Sequence, residues 1–183
     1  MRVLGLDPGM ERLGFGLIDT DPFELTNMGV IPHPKDSLLS YNEWLNKGIS
    51  HITEQFPRLL MIYDPQEIAA EIVPVGKLGS RSESTVAAIT VCKTLAFAYG
   101  ISWTDYGANT VKDVVADDGK ATKAQVRNAI LKLFPEWQER HKDEKQRQKR
   151  DGMKRPPGIP QDAFDGGAIA LTHIRKTHGE DPL

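Results

Sequence analysis

The chain has 183 residues, a formal net charge of −2, a pI near 6.2 and a single cysteine, Cys92. This length suits one domain with a core of ordinary size, and a lone thiol excludes an internal disulfide scaffold and points to a reducing compartment. No apolar run approaches the ~20 residues of a membrane span, the N-terminus lacks the basic and apolar blocks of a secretion signal, and the net negative charge excludes a generally basic nucleic-acid coat, so contact with DNA or RNA would have to come from local patches.

Residues 2–6 read as an apolar strand that stops at the turn signal Asp7-Pro8-Gly9. Residues 13–18 and 24–31 read as two more strands, close enough in sequence to form antiparallel hairpins. From Asp36 onward, Leu38, Tyr41, Leu45, Ile49, Ile52, Phe56 and Leu59 recur in steps of three and four, the spacing of one helical face. A fourth strand is expected over 68–73, a small-residue helix over 82–99 closed by Gly100, and a fifth strand over 101–106. Helices are expected over 109–115, 122–134 and 160–176, the last with Pro160 in its first turn. Strands followed by alternating strands and helices define a mixed α/β sheet with helices on both faces. The three tryptophans, Trp44, Trp103 and Trp137, are spread out and read as packing residues, and Cys92 as a core thiol.

Charge is uneven along this framework. Residues 139–155 carry eight Lys/Arg against four acids, leaving −6 for the rest of the chain. The segment over 139–158 reads either as a solvated helix extension or loop, or as a basic arm that meets phosphates.

Four acids stand in awkward places. Asp7 ends an apolar strand and Glu71 lies within one, positions where a charge is costly without a partner. Asp162 and Asp165 are one helical turn apart on the same face, at the start of the last helix. Each has an ordinary explanation by itself: a turn before Pro-Gly for Asp7, an edge strand for Glu71, the helix dipole for the last two. Gathered in one pocket, the four would repel one another and raise each other's proton affinity. Hard divalent cations relieve such repulsion, and an all-oxygen ligand set suits Mg²⁺ or Mn²⁺. Two such ions can activate a water and stabilise a leaving oxygen in phosphodiester cleavage.

The order of these motifs resembles the RuvC family of Holliday-junction resolvases. Leu4-Gly5-Leu6-Asp7-Pro8-Gly9 followed by Gly14-Phe15-Gly16 is similar to that family's opening hairpin, Ala70-Glu71 to its strand-borne Glu, and Val111-Lys112 and Thr122-Lys123-Ala124-Gln125 to its lysine region. Pro160-Gln161-Asp162-Ala163-Phe164-Asp165 resembles its closing helix. The resemblance implies a ribonuclease H-like fold whose five-stranded sheet has three antiparallel strands and then two parallel ones. It also implies a homodimer in a bacterial or phage-infected cytoplasm and Mg²⁺-dependent paired nicking of four-way DNA junctions. Carried over by position, Asp7, Glu71, Asp162 and Asp165 are the expected ligands of two Mg²⁺ ions. Lys123 is expected to offset charge at the scissile phosphate, and Lys112 to hold DNA backbone. Lys77, Arg81, Lys120 and Arg127 are further backbone candidates beside these elements.

Three departures stand out: Pro74 where the family has an aromatic, the charged stretch after Phe134, and the helix-weakening pair Gly166-Gly167. Pro74 and the charged stretch give weight to a nuclease with a broader taste for forks and flaps, and a catalytically silent junction-binding module is the reading from another class. His173, a little over two turns beyond Asp165, is either near the metals or a packing residue. An actin-like or sugar-kinase architecture would need a second Asp-Gly hairpin and more chain.

Overall fold

The computed structural model describes residues 1–33, 38–72, 80–154 and 157–179, without the side chains of 80–82. Its sheet has the order β3-β2-β1-β4-β5, formed by β1 (Arg2–Pro8), β2 (Arg12–Thr20), β3 (Phe23–Pro32), β4 (Glu67–Glu71) and β5 (Ser102–Tyr106). The first three strands are antiparallel, β4 runs parallel to β1 and β5 parallel to β4, as expected from the sequence.

Strand alternation sorts β1 between two cores. Leu4 and Leu6 enter a cluster with Ile52, Phe56, Leu59 and Leu60 of α1 (Tyr41–Tyr63) and Ala88, Cys92 and Ala96 of α2 (Ser80–Ala98). Val3 enters the cluster on the opposite face, with Phe164, Ile169 and Ile174 of α6 (Gln161–Thr177). Asp7 falls in the same set as Val3 and Gly5 by the two-residue period of a strand, which turns it toward α6. Glu71 shares a face with Ala69 for the same reason.

The helix α6 is the centre of that second core. It lies between the sheet and the helices α3 (Ala108–Ala116) and α4 (Lys123–Leu133), α5 (Pro135–Arg150) meets it through the His141 ring against Phe164, and every residue from Gly166 to Ile174 is buried. Burying a side chain such as Phe164 or Ile169 is worth roughly 1.5–3 kcal/mol, so α6 is fixed by packing despite its glycines. Its approach to the sheet is close: a Cβ on Gly5, Gly14 or Gly16 would collide with the backbone of α6. Gly166 meets this requirement from the helix side, since a Cβ there would stand 2.6 Å from Phe15 Cα.

Three local expectations change. The first helix starts at Tyr41 because Ser40 caps it, accepting from Glu43 N while the Glu43 carboxylate reaches back to the Ser40 N–H. Leu38 therefore lies outside the helix and is exposed, and Asp36 falls outside the described residues. Pro160 is the N-cap of α6 rather than part of its first turn. The charged stretch is helical as far as Arg150: Pro135 starts α5, whose Trp137 and His141 are buried. Trp137 Nε1 donates to the Leu25 carbonyl at 2.6 Å, and Gln148 both donates to and accepts from the backbone of Gly158, so this helix is tied to the domain by its polar edge.

Candidate metal and nucleic-acid site

Two parallel strands and one helix start meet at a single edge of the sheet. Leu6 of β1 pairs with Ala70 of β4, which sets Asp7 beside Glu71. The first turns of α6 then bring Asp162 and Asp165 over the strand ends, with Asp162 in the turn where the helix dipole favours an anion. Asp7, Asp162 and Asp165 each present a carboxylate oxygen within 4.8 Å of the others, a group able to hold a metal ion. Glu71 stands just outside this tight triple, within electrostatic reach of Asp7 and Asp165.

The electrostatics of the cluster show its cost. Burial, and then the charges of Asp165 and Glu71, push the Asp7 carboxyl from its ordinary 3.8 up to about 7, with Lys123 opposing. Glu71 is also raised, first by burial and then by Asp165, while Lys123 and Lys112 pull the other way. Two cations answer the remaining acids directly. Lys123 Nζ donates to Asp165 Oδ2 at 2.6 Å, and Arg12 Nε pairs with Asp162 Oδ2 at 2.8 Å. Both cations are more than half exposed, whereas the carboxylates are largely covered. Gln161 Nε2 donates to Asp165 Oδ1 at 3.0 Å, so that both oxygens of Asp165 are held. Thr122 caps α4 with a reciprocal Gln125 bond and thereby fixes the helix start from which Lys123 reaches inward. A cleft of about 410 Å³ opens beside these groups, lined by Asp7, Met10, Arg12, Trp44, Ser84 and Asp162.

The sequence candidates thus divide. Asp7, Glu71, Asp162, Asp165 and Lys123 come together, and Lys112 on α3 acts on Glu71 through its charge. Arg127 joins at one remove, donating to Gln161 Oε1 at 3.4 Å. Lys120 is exposed in the turn before α4, its backbone N–H held by Asp118. Lys77 and Pro74 lie outside the described residues, as does the side chain of Arg81. His173 lies among Tyr106 and Glu67 rather than in the carboxylate group. Cys92 is fully buried, its thiol pushed up to about 12 by burial, as suits an inert core residue.

Arg12, Gln161 and Trp44 were not legible as site residues. Gln161 carried a weak signal, being next to Asp162, and Arg12 a weaker one, standing where the second strand begins. Trp44 sits on the amphipathic face of α1 and reads as packing until the cleft is seen.

A mixed five-stranded sheet with a carboxylate cluster where β1, β4 and the packed helix α6 converge has the architecture of the ribonuclease H-like fold, with an acidic group able to hold a metal ion. The sequence pattern of the family described as crossover junction endodeoxyribonuclease RuvC matches residues 3–145, and the chain belongs to that family. A relative from Neisseria gonorrhoeae, named crossover junction endodeoxyribonuclease RuvC, is 32% identical over 98% of this chain and 87% of its own, an alignment that extends beyond residue 145 to include α6. The structure of Thermus thermophilus RuvC superposes with a TM-score of 0.70 at 22% identity over the whole of both chains. The same protein in complex with a Holliday junction substrate gives 0.68.

Proposed function

We propose that this protein is a metal-dependent endonuclease that resolves four-way DNA junctions by paired nicks in opposed strands, acting as a homodimer. The observation that carries the reading is the convergence of Asp7, Asp162 and Asp165 with Glu71 and Lys123 at one sheet edge, in a chain of the RuvC family. The donor set is oxygen only, and burial, joined by the charges of Asp165 and Glu71, holds a proton on Asp7 up to about 7, so it fits hard divalent cations. Asp7, Glu71, Asp162 and Asp165 are the proposed ligands of two Mg²⁺ ions, with Mn²⁺ a substitute. Bound there, such ions supply an activated water and stabilise the leaving oxygen, giving 5′-phosphate and 3′-hydroxyl ends.

The chain's own residues do the rest. Asp7 gives up its proton when the site is loaded, and Gln161 keeps Asp165 oriented. Lys123, exposed and already aimed into the cluster, offsets charge gathering on the scissile phosphate. Lys112 and Arg127, flanking the same edge, hold the backbone of the substrate. A twofold dimer would place two such edges on opposed strands of a symmetric junction.

The test is cleavage of a synthetic four-way junction, a fork and plain duplex, each with Mg²⁺ or with EDTA. Paired nicks in the junction that need Mg²⁺ and vanish in Asp7→Asn are expected. Cutting in EDTA, or full activity of Asp7→Asn, would overturn the mechanism, and equal cutting of junction and fork would overturn junction selectivity.

A further inference from the structure

A second group of ligating atoms lies at the other end of α6. Glu67 opens β4, His173 belongs to the last turns of α6, and His178 is the residue that caps it. Both imidazoles aim Nε2 at the same carboxylate oxygen: His173 Nε2 is 2.7 Å and His178 Nε2 3.0 Å from Glu67 Oε2. One ligand atom from each of the three lies within 4.8 Å of the others. The His173 side chain is only 4% exposed, while Glu67 and His178 remain open enough for an ion to enter.

The surroundings of His173 complete the pattern of a metal ligand. Its other nitrogen, Nδ1, is 3.0 Å from the Tyr106 hydroxyl. With Nε2 given to an ion, Nδ1 carries the proton and donates it to Tyr106, the outer-shell bond that fixes tautomer and ring orientation in histidine–metal sites. Two imidazoles and one carboxylate are a donor set for zinc, with a fourth position open to water, and contrast with the oxygen-only set of the carboxylate centre. The groups are separate. Glu67 and Glu71 are about 13 Å apart along β4 at 3.3 Å per residue, and His173 is about 12 Å along α6 from Asp165 at 1.5 Å per residue.

We propose that Glu67, His173 and His178 form a second metal site, selective for an imidazole-seeking divalent ion of the zinc class, which cross-links the start of β4 to the end of α6. These are the strand and the helix that carry Glu71, Asp162 and Asp165 at their opposite ends, so the ion braces the scaffold of the acidic centre without touching it.

Titration of the metal-stripped full chain with Co²⁺ and Zn²⁺, in excess Mg²⁺ to fill the carboxylate centre, tests this. Co²⁺ is expected to give the visible bands of a tetrahedral ion, and Zn²⁺ to displace it and raise the melting temperature. His178→Ala and Glu67→Gln should each weaken binding by more than the roughly 10–100-fold that loss of an outer-shell partner costs, and Tyr106→Phe by about 10-fold. Asp7→Asn should leave the bands intact. His178→Cys should restore them with an added thiolate-to-cobalt charge-transfer absorption, a gain that a merely structural role for His178 would not produce. Absence of the bands in the wild-type chain, their persistence in folded His178→Ala, or their loss in Asp7→Asn would overturn the assignment.

Discussion

Replacing Asp7 by Asn should stabilise the metal-free protein in the same stroke that removes its activity. The carboxyl of Asp7 holds its proton up to about 7 in the folded chain, against an ordinary 3.8 once unfolded. Between those two values the folded state binds more protons than the unfolded one, so stability falls as pH rises, and the loss is complete above about 7. At 1.36 kcal/mol for each pH unit, the full penalty is about 4 kcal/mol, of which about 2.5 kcal/mol develops between roughly pH 5 and pH 8. Asn has the same shape and no charge, so the variant escapes this slope. Urea unfolding in EDTA at those two pH values measures it directly: the wild-type chain should lose about 2.5 kcal/mol that Asp7→Asn keeps. Added Mg²⁺ should reverse the order, because an ion that binds only the folded wild-type site stabilises it by mass action. A variant that is less stable than the wild type in EDTA near pH 8, or that shows the same pH slope, would refute the account of a buried Asp7 carboxyl in a repelling cluster.

The two adjacent glycines of α6 should part company: Gly166→Ala drives a Cβ to 2.5 Å from the Phe15 carbonyl carbon and should cost about 2–3 kcal/mol in urea unfolding, whereas Gly167→Ala meets only Leu25 methyls at 3.8 and 3.9 Å and should add up to about 1 kcal/mol of helix stability. Arg12→Ala removes a cation that competes for Asp162 Oδ2, and calorimetric titration should show Mg²⁺ binding tightened by up to about fivefold, the equivalent of about 1 kcal/mol for a half-exposed pair; weaker Mg²⁺ binding would make Arg12 a support of the site rather than a competitor. Mg²⁺ affinity should drop by about tenfold for each pH unit below about 7, since Asp7 must lose its proton to bind, and a titration independent of pH from roughly 5.5 to 7 would contradict this.

How much of this could be read from the chain depended on whether the interaction was local. The strand β1 was legible because Val3, Leu4 and Leu6 are apolar and the acid comes only where the strand ends, so that its two-residue period already aimed Asp7 at one face. The pair Asp162 and Asp165 was legible because three residues is one helical turn. The helix α5 was harder, since it is polar nearly throughout and buries only Trp137 and His141, too few to draw an amphipathic stripe. Its start is nevertheless written in Pro135 after Phe134. The pairing of Arg12 with Asp162 could not be seen at all: it joins a hairpin and a helix 150 positions apart and obeys no periodicity. Gly166 and Gly167 were visible as an anomaly, but only the packed structure separates the one whose Cβ would strike the strand backbone from the one whose Cβ would not.

The near-neutral total charge takes its meaning from where charges are spent. Of the eight bases between 139 and 155, Lys142 and Arg147 pair with acids of their own helix, which leaves the +4 surplus unchanged, and Arg140 lies over the Trp137 ring at 4.5 Å, so part of the segment's charge serves to hold α5 together. Exposed pairs of this kind contribute little energy, and in salt their field reaches only about 8–10 Å. Lys149, Arg150 and Lys154 remain exposed near the end of that helix. The cations with the strongest claim on a phosphate are instead Lys123 and Arg12, which stand at the rim of a cluster of four acids and are held there by carboxylates that metal ions would otherwise occupy. An ion held by Asp162 or Asp165 would compete for the oxygen each cation now grips, and both side chains are exposed enough to turn outward. On the proposed function, metal loading and the positive face offered to a polyanion would be one electrostatic event at this edge of the sheet, to which net charge, summed over the whole chain, is blind.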